Sequence, residues 1–162
     1  ELRELLQIYA RNMYALDWVW CQSVESRHGM ECAMEHNCAA WERFTRTEAL
    51  RIRNFLELPE LPGLDGLHKA LSLRFSALAH PSVDVIRGDD EVVYRVNECR
   101  VQSARRAKGM PYHPCAPAGL VEHAGFASVI DPRIVTRQIS CYPNVTDSSC
   151  ACCWRFTLET SE

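Results

Sequence analysis

Apolar residues recur at three- and four-residue steps through the first 80 residues, a spacing that indicates amphipathic helices. The first helix carries one apolar stripe, which we expect to pack on the rest of the protein: Leu2, Leu5, Leu6, Tyr9, Met13, Leu16 and Trp20. Gly29 is expected to end it. Similar patterns predict a second helix over about 30–44 and a third from Thr45 or Thr47 to Pro59. A fourth is predicted over about 64–79.

The second half of the chain has a different residue pattern, which predicts strands as well as helices. Two β-branched runs, 82–86 and 92–96, flank Gly88 and predict a hairpin. Short helices are expected at 99–108 and 118–130, followed by strands at 134–141 and 152–158. The order predicts an α+β fold, with N-terminal helices packed on a small antiparallel sheet of order β-β-α-α-β-β. We expect a single domain over 1–162, with a helical half (1–80) and a cysteine-rich α+β half (81–162).

Composition narrows the function classes. The 162 residues include 18 Lys and Arg against 21 Asp and Glu, a net charge of −3. A protein without a basic surplus is a poor candidate for nucleic-acid binding. No apolar run approaches the ~20 residues that a membrane span needs. The nine cysteines are an odd number and cannot all pair with one another. We expect a cytoplasmic protein with reduced thiols, in which clustered cysteines indicate metal or redox chemistry.

Six cysteines follow residue 98, and each lies at the edge of a predicted element. Element ends of one small sheet can converge, so we expect a metal site, either zinc or an iron–sulfur cluster, formed by Cys99, Cys115, Cys141 and Cys152. The spacing is not that of a zinc knuckle. The alternative is that these are scattered small hydrophobic residues, since free cysteine is commonly buried.

A polar stripe on the first helix suggests a second part of the site. Asp17, Cys21 and Glu25 are four residues apart and share one face. We expect Asp17 and Glu25 to act in acid–base catalysis and to line a small-molecule pocket. Its ligand-contacting residues are predicted to be Trp20, Cys21, Trp41 and Arg105, with Arg105 or Arg155 opposite the acids. The alternative is an ordinary solvated helix face.

The last predicted strand separates its residues by parity. Cys152, Trp154 and Phe156 face one side, whereas Cys153 and Arg155 face the other. A neighbouring cation lowers the pKa of a thiol, so Cys153 and Arg155 are further catalytic candidates. The alternative is an incidental cysteine beside a solvated arginine.

The chain resembles a family of uncharacterised cytosolic cysteine-rich proteins found largely in anaerobes. The resemblance covers nearly the whole chain and is carried by these motifs: Asp17-x2-Trp20-x4-Glu25, Cys99-x2-Gln102-x2-Arg105, Gly109, Cys115, Phe126-Ala127, Ile130-Asp131-Pro132-Arg133-Ile134, Cys141-x-Pro143 and Cys152-Cys153-Trp154-Arg155-Phe156. One position departs from the family pattern. Where the family has Cys-Pro-Pro-Asp, this chain ends the motif in Asn144, so the acid is lost.

Residues 92–158 are also similar, more weakly, to the 2-aminothiazoline-4-carboxylate hydrolase-like proteins. The matching positions are Cys99, Cys115 and Cys152-x-Trp154-x-Phe156. This resemblance implies ring-opening hydrolysis of a small carboxylate by a cysteine or metal site. The alternative function is a metal- or iron–sulfur-binding sensor without catalysis. Expected partners are an anionic small molecule and, in a homo-oligomer, a second copy of the chain, with neither nucleic acid nor membrane.

Overall fold

The computed structural model describes residues 1–159, which form an α+β fold in which three helices precede the first of the four strands. Its elements are α1 (Leu2–Phe55), α2 (Gly63–Ser72), α3 (Phe75–Ala79), β1 (Ser82–Arg87), β2 (Glu91–Glu98), α4 (Arg100–Ala107), α5 (Ala116–Ile130), β3 (Ile134–Cys141) and β4 (Cys152–Leu158). The four strands form an antiparallel sheet in the order β1-β2-β4-β3. The fold class predicted from the sequence is confirmed.

The long helix α1 reverses direction at Gly29. This glycine has φ 86° and ψ 169°, outside the helical region and in the half of backbone space that favours glycine. Leu6 and Ile52 line one surface groove, although a straight helix would hold them about 70 Å apart. The helix is therefore a hairpin with two antiparallel arms, 2–28 and 30–55. The predicted stop at Gly29 is correct.

The second arm corrects one helix prediction. The sequence predicts a boundary near Thr45, but the arm runs without interruption from 30 to 55. Thr45 is buried inside it, and its hydroxyl donates a hydrogen bond to the carbonyl oxygen of Glu122 at 2.8 Å. The predicted helix over 64–79 is likewise two helices, because Arg74 adopts an extended conformation between α2 and α3.

The core lies between one face of the sheet and the helices. Val92, Tyr94, Val96, Trp154 and Phe156 point into it from the two central strands. Residues of α2 and α5 cover them: Leu67, Leu71, Phe126, Ala127 and Ile130. The opposite sheet face is polar and carries ion pairs such as Arg155–Glu91, at 2.8 Å. This alternation is normal for an antiparallel sheet with one covered face.

The first arm of α1 presents the opposite face to the protein from the one that the sequence predicts. Its apolar stripe was expected to pack on the protein, yet the seven stripe residues are 40–72% exposed. Ala10 and Cys21 are the buried residues of this arm, and Asp17 and Glu25 lie on the inward side with Cys21. The helix has two contrasting faces, and in this structure the more polar one contacts the body of the protein.

Candidate cysteine-lined site

A cavity of about 70 Å³ lies between the core face of the sheet, α1, α4 and α5. It is lined by Cys99, Cys115, Cys141 and Cys152, together with polar and aromatic side chains: Tyr14, Trp18, Asn37, Trp41, Ser76, His80, Tyr94, Glu122, His123 and Trp154. The four cysteines predicted as metal ligands therefore face one space, although they come from four separate parts of the chain.

Each cysteine is placed by the end of an element. Cys99 precedes α4 directly after β2, and Cys115 is the residue before α5. Cys141 ends β3, Cys152 begins β4, and the two are direct cross-strand partners. Side chains of directly opposed residues on one sheet face lie about 5 Å apart at Cβ.

A β-bulge aims Cys141 at the cavity. The β3–β4 register shifts between Gln138 and Ser140, so Ile139 is the extra residue. Before the shift, Gln138 is paired with the core residue Trp154. After it, Ser140 is paired with Cys153 and Cys141 with Cys152. Strict alternation from Gln138 would place Cys141 on the outer face, and the added residue reverses its direction.

The thiols of three cysteines interact. Hydrogen bonding with Cys115 raises the pKa of Cys141 to about 12, and hydrogen bonding with Cys141 is the largest cause that raises the pKa of Cys152. Burial raises the pKa of Cys99 to about 11. The side-chain amide of Gln102 donates a hydrogen bond to the Cys115 sulfur at 3.1 Å. Cys115, Cys141 and Cys152 thus form a contiguous trio, with Cys99 on the same cavity wall.

The trio does not have the arrangement of a metal centre as it stands. Among residues 1–159, no group of three or more His, Cys, Asp or Glu side chains is placed so that it could hold a metal ion. Raised pKa values keep Cys99, Cys141 and Cys152 as protonated thiols at neutral pH. Metal binding requires thiolates, so it would have to displace these protons and draw the sulfurs around the ion.

Glu122 is the acid that faces the cavity. Burial raises its pKa to about 7, even though Arg74 lies beside it and lowers that pKa. The Arg74 Nη2 atom is 2.8 Å from Glu122 Oε1, and Arg74 Nε donates to Glu48 Oε2 at 3.0 Å. Arg74 is fully buried. This cation between two carboxylates fixes Glu122 on the cavity wall.

Two side chains next to the cysteines have buried polar atoms that make no hydrogen bond. Within the described part of the chain, Trp18 Nε1 and both ring nitrogens of His113 have no partner. The rings of Trp18 and His113 meet edge to face at 4.6 Å, and burial lowers the pKa of His113 to about 4. Buried groups of this kind normally have a partner, so they indicate a bound water, ion or ligand.

A larger groove adjoins the cavity. It has a volume of about 530 Å³, runs between the first arm of α1 and α4, and carries Arg11, Arg100 and the acid Glu98. Tyr14, Trp18 and Val101 line both the groove and the cavity. The groove is of the size that holds small organic ligands. These three side chains form the wall between it and the cysteines.

The predicted acids occupy other positions. Glu25 forms a two-bond ion pair with Arg105, with Nη1–Oε2 at 2.6 Å and Nη2–Oε1 at 2.8 Å. Arg105 is therefore opposite Glu25, as expected, but its guanidinium is already bound. Asp17 lies in an apolar groove, where burial raises its pKa to about 6. Cys21 is buried between them, and its pKa is raised to about 11.

The predicted aromatic residues line the groove that contains Asp17. Trp20 and Trp41 lie along it with Met13, Phe44 and Phe75. Trp20 is 68% exposed, whereas Trp41 is buried and also reaches the cysteine cavity. Of the residues predicted to line the pocket, Asp17, Trp20 and Trp41 line this groove, whereas Cys21, Glu25 and Arg105 line neither it nor the cysteine cavity.

Cys153 and Arg155 lie on the outer face of the sheet, away from the cavity. Arg155 Nε is paired with Glu91, and the cross-strand neighbour of Cys153 is Arg95. Burial raises the pKa of Cys153 despite the opposing effect of Arg95. The parity predicted for β4 is confirmed, and it separates these two residues from the other cysteines.

A family model matches residues 1–158 of this chain. It describes a family of unknown function, DUF6125. The chain belongs to this family. No curated protein and no solved structure is significantly similar to it. None of the helices within 1–159 is long and apolar enough to cross a membrane. For this DUF6125 protein, the chemistry of the site therefore has to be argued from its own residues.

Sequence reasoning did not identify Glu122 or Gln102 as parts of the site. Glu122 lies about two helical turns after Cys115, and that spacing places the two side chains on one face of α5. Gln102 is part of the Cys99-x2-Gln102 motif, which was noted only as a resemblance. The sequence spacing of Glu122 from Cys115 and of Gln102 from Cys99 could have identified these two residues.

Proposed function

We propose that this DUF6125 protein is a small-molecule hydrolase whose cysteine cavity binds a thiolate-preferring metal ion, with zinc as the first candidate. One observation carries the proposal: Cys99, Cys115, Cys141 and Cys152, from four element ends, line one buried cavity. Thiolate sulfur is a preferred zinc ligand. Four thiols that face one cavity indicate a metal site much more specifically than a total of nine cysteines in the sequence does.

The contacts among the four cysteines suggest which of them bind the metal ion. Cys115 raises the pKa of Cys141 and Cys141 raises that of Cys152, so these three neighbouring thiols are proposed as the protein ligands. A zinc ion with three protein ligands and an open position activates a bound water near neutral pH. Cys99, on the same wall, is the fourth available thiol.

Glu122 is the proposed proton-transfer group, in place of Asp17 and Glu25. It faces the cavity, whereas Glu25 is bound to Arg105 and Asp17 lies in the neighbouring apolar groove. A carboxyl group with a pKa near 7 can both accept and release a proton at neutral pH. Its pairing with Arg74 keeps it in a fixed orientation.

The adjoining groove is the proposed substrate site. Its two arginines suit a small carboxylate, and the resemblance to 2-aminothiazoline-4-carboxylate hydrolase-like proteins suggests a heterocyclic ring as the reacting part. Hydrolysis would add the oxygen of water to the electrophilic ring carbon and a proton to the leaving heteroatom. Tyr14, Trp18 or Val101 would have to move for the ring to reach the cysteines.

A second candidate function is a closed metal-binding module without catalysis. Two observations favour it: Cys99 is available as a fourth sulfur ligand, and the cavity volume of about 70 Å³ is below that of ordinary substrate sites. Four-cysteine zinc sites are typically structural. An iron–sulfur cluster would use the same four thiols and would colour the protein.

The test is metal content after purification without oxygen. We expect about one zinc per chain in the wild type, and less than a fifth of that in Cys115→Ser, Cys141→Ser and Cys152→Ser. The matched control is Cys38→Ser, on the second arm of α1 and outside the cavity lining. The Cys38→Ser variant should keep the metal content of the wild type. A metal-free wild type, or equal metal in all variants, would contradict the proposal.

Turnover separates the two candidates. The zinc-loaded wild type is assayed with 2-aminothiazoline-4-carboxylate, and Glu122→Gln should lose at least 100-fold in kcat while retaining its zinc. Full metal content with no turnover in the wild type would favour the closed module.

A further inference from the structure

The first arm of α1 presents an apolar surface that lies outside the cysteine site. Its six central positions follow the spacing 4, 3, 4, 3, 4: Leu2, Leu6, Tyr9, Met13, Leu16 and Trp20. This is the a/d pattern of a coiled coil, sustained over nearly three heptads. All six side chains are between 40% and 72% exposed. A seam of this kind normally contacts another helix, and within one chain it does so only along one edge.

That edge borders a continuous groove between the arms of the hairpin. Two adjoining surface depressions, of about 480 and 340 Å³, share Met13, Phe44 and Phe75. The seam forms one wall, and Trp41 and Ile52 contribute to the other. An apolar groove along two antiparallel helices is a binding surface for a further amphipathic helix.

We propose that the hairpins of two copies of this chain pack face to face, the seam of each copy lying in the groove of the other. The result is a dimeric four-helix bundle with two-fold symmetry. Such an interface is self-complementary, because one surface supplies both the ridge and the groove.

The exposed area is sufficient for a stable dimer. Leu5, Ile8 and Val19 flank the seam and are themselves about half to two-thirds exposed. With side chains of about 150–250 Å² for the largest of them, the nine residues present roughly 1,000 Å². A specific interface needs ~800 Å² per partner, and the largest apolar patch on a typical monomer is ~300–600 Å².

Charge also favours a second copy. Residues 2–20 contain two arginines and two acids, so like surfaces can approach without net repulsion: Arg3, Arg11, Glu4 and Asp17. A helix that lies on an anionic membrane surface typically has Lys and Arg along its polar face. The balanced charge of this arm therefore favours a protein partner of the same sequence over a lipid surface.

Sedimentation equilibrium of the full chain tests the proposal. The wild type should sediment at twice the 18.5 kDa of one chain. The double variant Met13→Glu/Leu16→Glu should weaken association at least 100-fold. The control is Leu120→Glu, which adds one negative charge at a 46%-exposed leucine on α5 and should leave the dimer intact. Circular dichroism should show unchanged helix content, because all three positions are exposed.

A measurement that leaves Met13 and Leu16 unchanged covers the case in which the double variant unfolds. The emission attributable to Trp20, taken as the difference between wild type and Trp20→Phe, should move to shorter wavelength as concentration rises. A wild-type monomer at 100 µM, a trimer or larger assembly, or a dimer unaffected by the double variant would overturn the proposal. So would a monomer that sediments with phosphatidylserine-containing vesicles through this arm.

Discussion

Glu25 and Arg105 join the first arm of α1 to α4 through two hydrogen bonds, at 2.6 and 2.8 Å. The Arg105 side chain is fully buried, and its Nε also donates to the carbonyl oxygen of Pro111 at 2.6 Å. Glu25 therefore compensates a buried cation, and the pair holds the hairpin against the loop that carries His113 and Cys115.

We predict that Glu25→Gln lowers the free energy of unfolding by about 2–3 kcal/mol at pH 7, because it leaves Arg105 buried without its counter-charge. Urea unfolding measures this. Hydrogen bonds from Arg105 lower the pKa of Glu25 below 4.5. A lowered carboxyl pKa stabilises the fold above the unfolded pKa, so the wild-type advantage should disappear as pH falls below about 4.5. Glu31→Gln, at an exposed position of the same hairpin, is the control. Equal stability of both variants would refute a structural role for the pair.

Asp17 should destabilise the fold at neutral pH. Burial raises its pKa to about 6 from 3.8, and its buried Oδ2 has no hydrogen-bond partner among the described residues. A raised carboxyl pKa means that the folded state holds the proton more tightly, so stability falls as pH rises from about 4 to 6. We predict that Asp17→Asn gains about 1–2 kcal/mol at pH 7 and nothing at pH 3.5.

Chemical denaturation of Asp17→Asn at the two pH values measures the effect. Loss of stability at pH 7 would show that the carboxylate has a partner in solution. A gain in stability at pH 7 would show that Asp17 destabilises the fold. This is expected of a residue that serves a binding groove.

Arg74 should be among the most sensitive positions of the fold. It is fully buried, contacts Glu48 and Glu122, and lies 4.6 Å from the ring centroid of Phe126. Arg74→Leu would leave two carboxylates near the core without their cation, and we predict a loss of at least 3–5 kcal/mol. Thermal and urea unfolding provide the measurement.

The control for Arg74 is a similar ion pair at the surface. Arg87 is paired with Asp65, which is 78% exposed, and Arg87→Leu should change stability by less than about 0.5 kcal/mol. Comparable losses in the two variants would mean that the buried network contributes no more than a surface pair.

The strands and the cysteine grouping could be predicted from sequence because their signals are local. The β-branched run at 134–141 and the parity of 152–158 correspond to β3 and β4 as the structure has them. The α1 hairpin could be predicted in part, since Gly29 requires a positive φ. Convergence of the cysteines followed from their positions at element ends.

Other features depend on tertiary contacts and could not be predicted from the pattern of apolar and polar residues. The bulge at Ile139 decides which way Cys141 points, and nothing in the residues 134–141 specifies it. Amphipathic periodicity shows that α1 has two faces, but it does not show which one contacts the same chain. The sequence therefore predicted that the apolar stripe is buried, whereas the structure buries Cys21 and places the half-buried Asp17 and Glu25 on the same side.

X-ray absorption at the zinc edge of the protein purified without oxygen tests the central claim most directly, because it counts the sulfur ligands. We predict three sulfurs at about 2.3 Å and one oxygen or nitrogen at about 2.0–2.1 Å. Cys141→Ser should remove one sulfur or all metal, and Cys38→Ser should leave the spectrum unchanged. A wild-type spectrum with only nitrogen and oxygen ligands, or a protein that binds no zinc, would contradict the account.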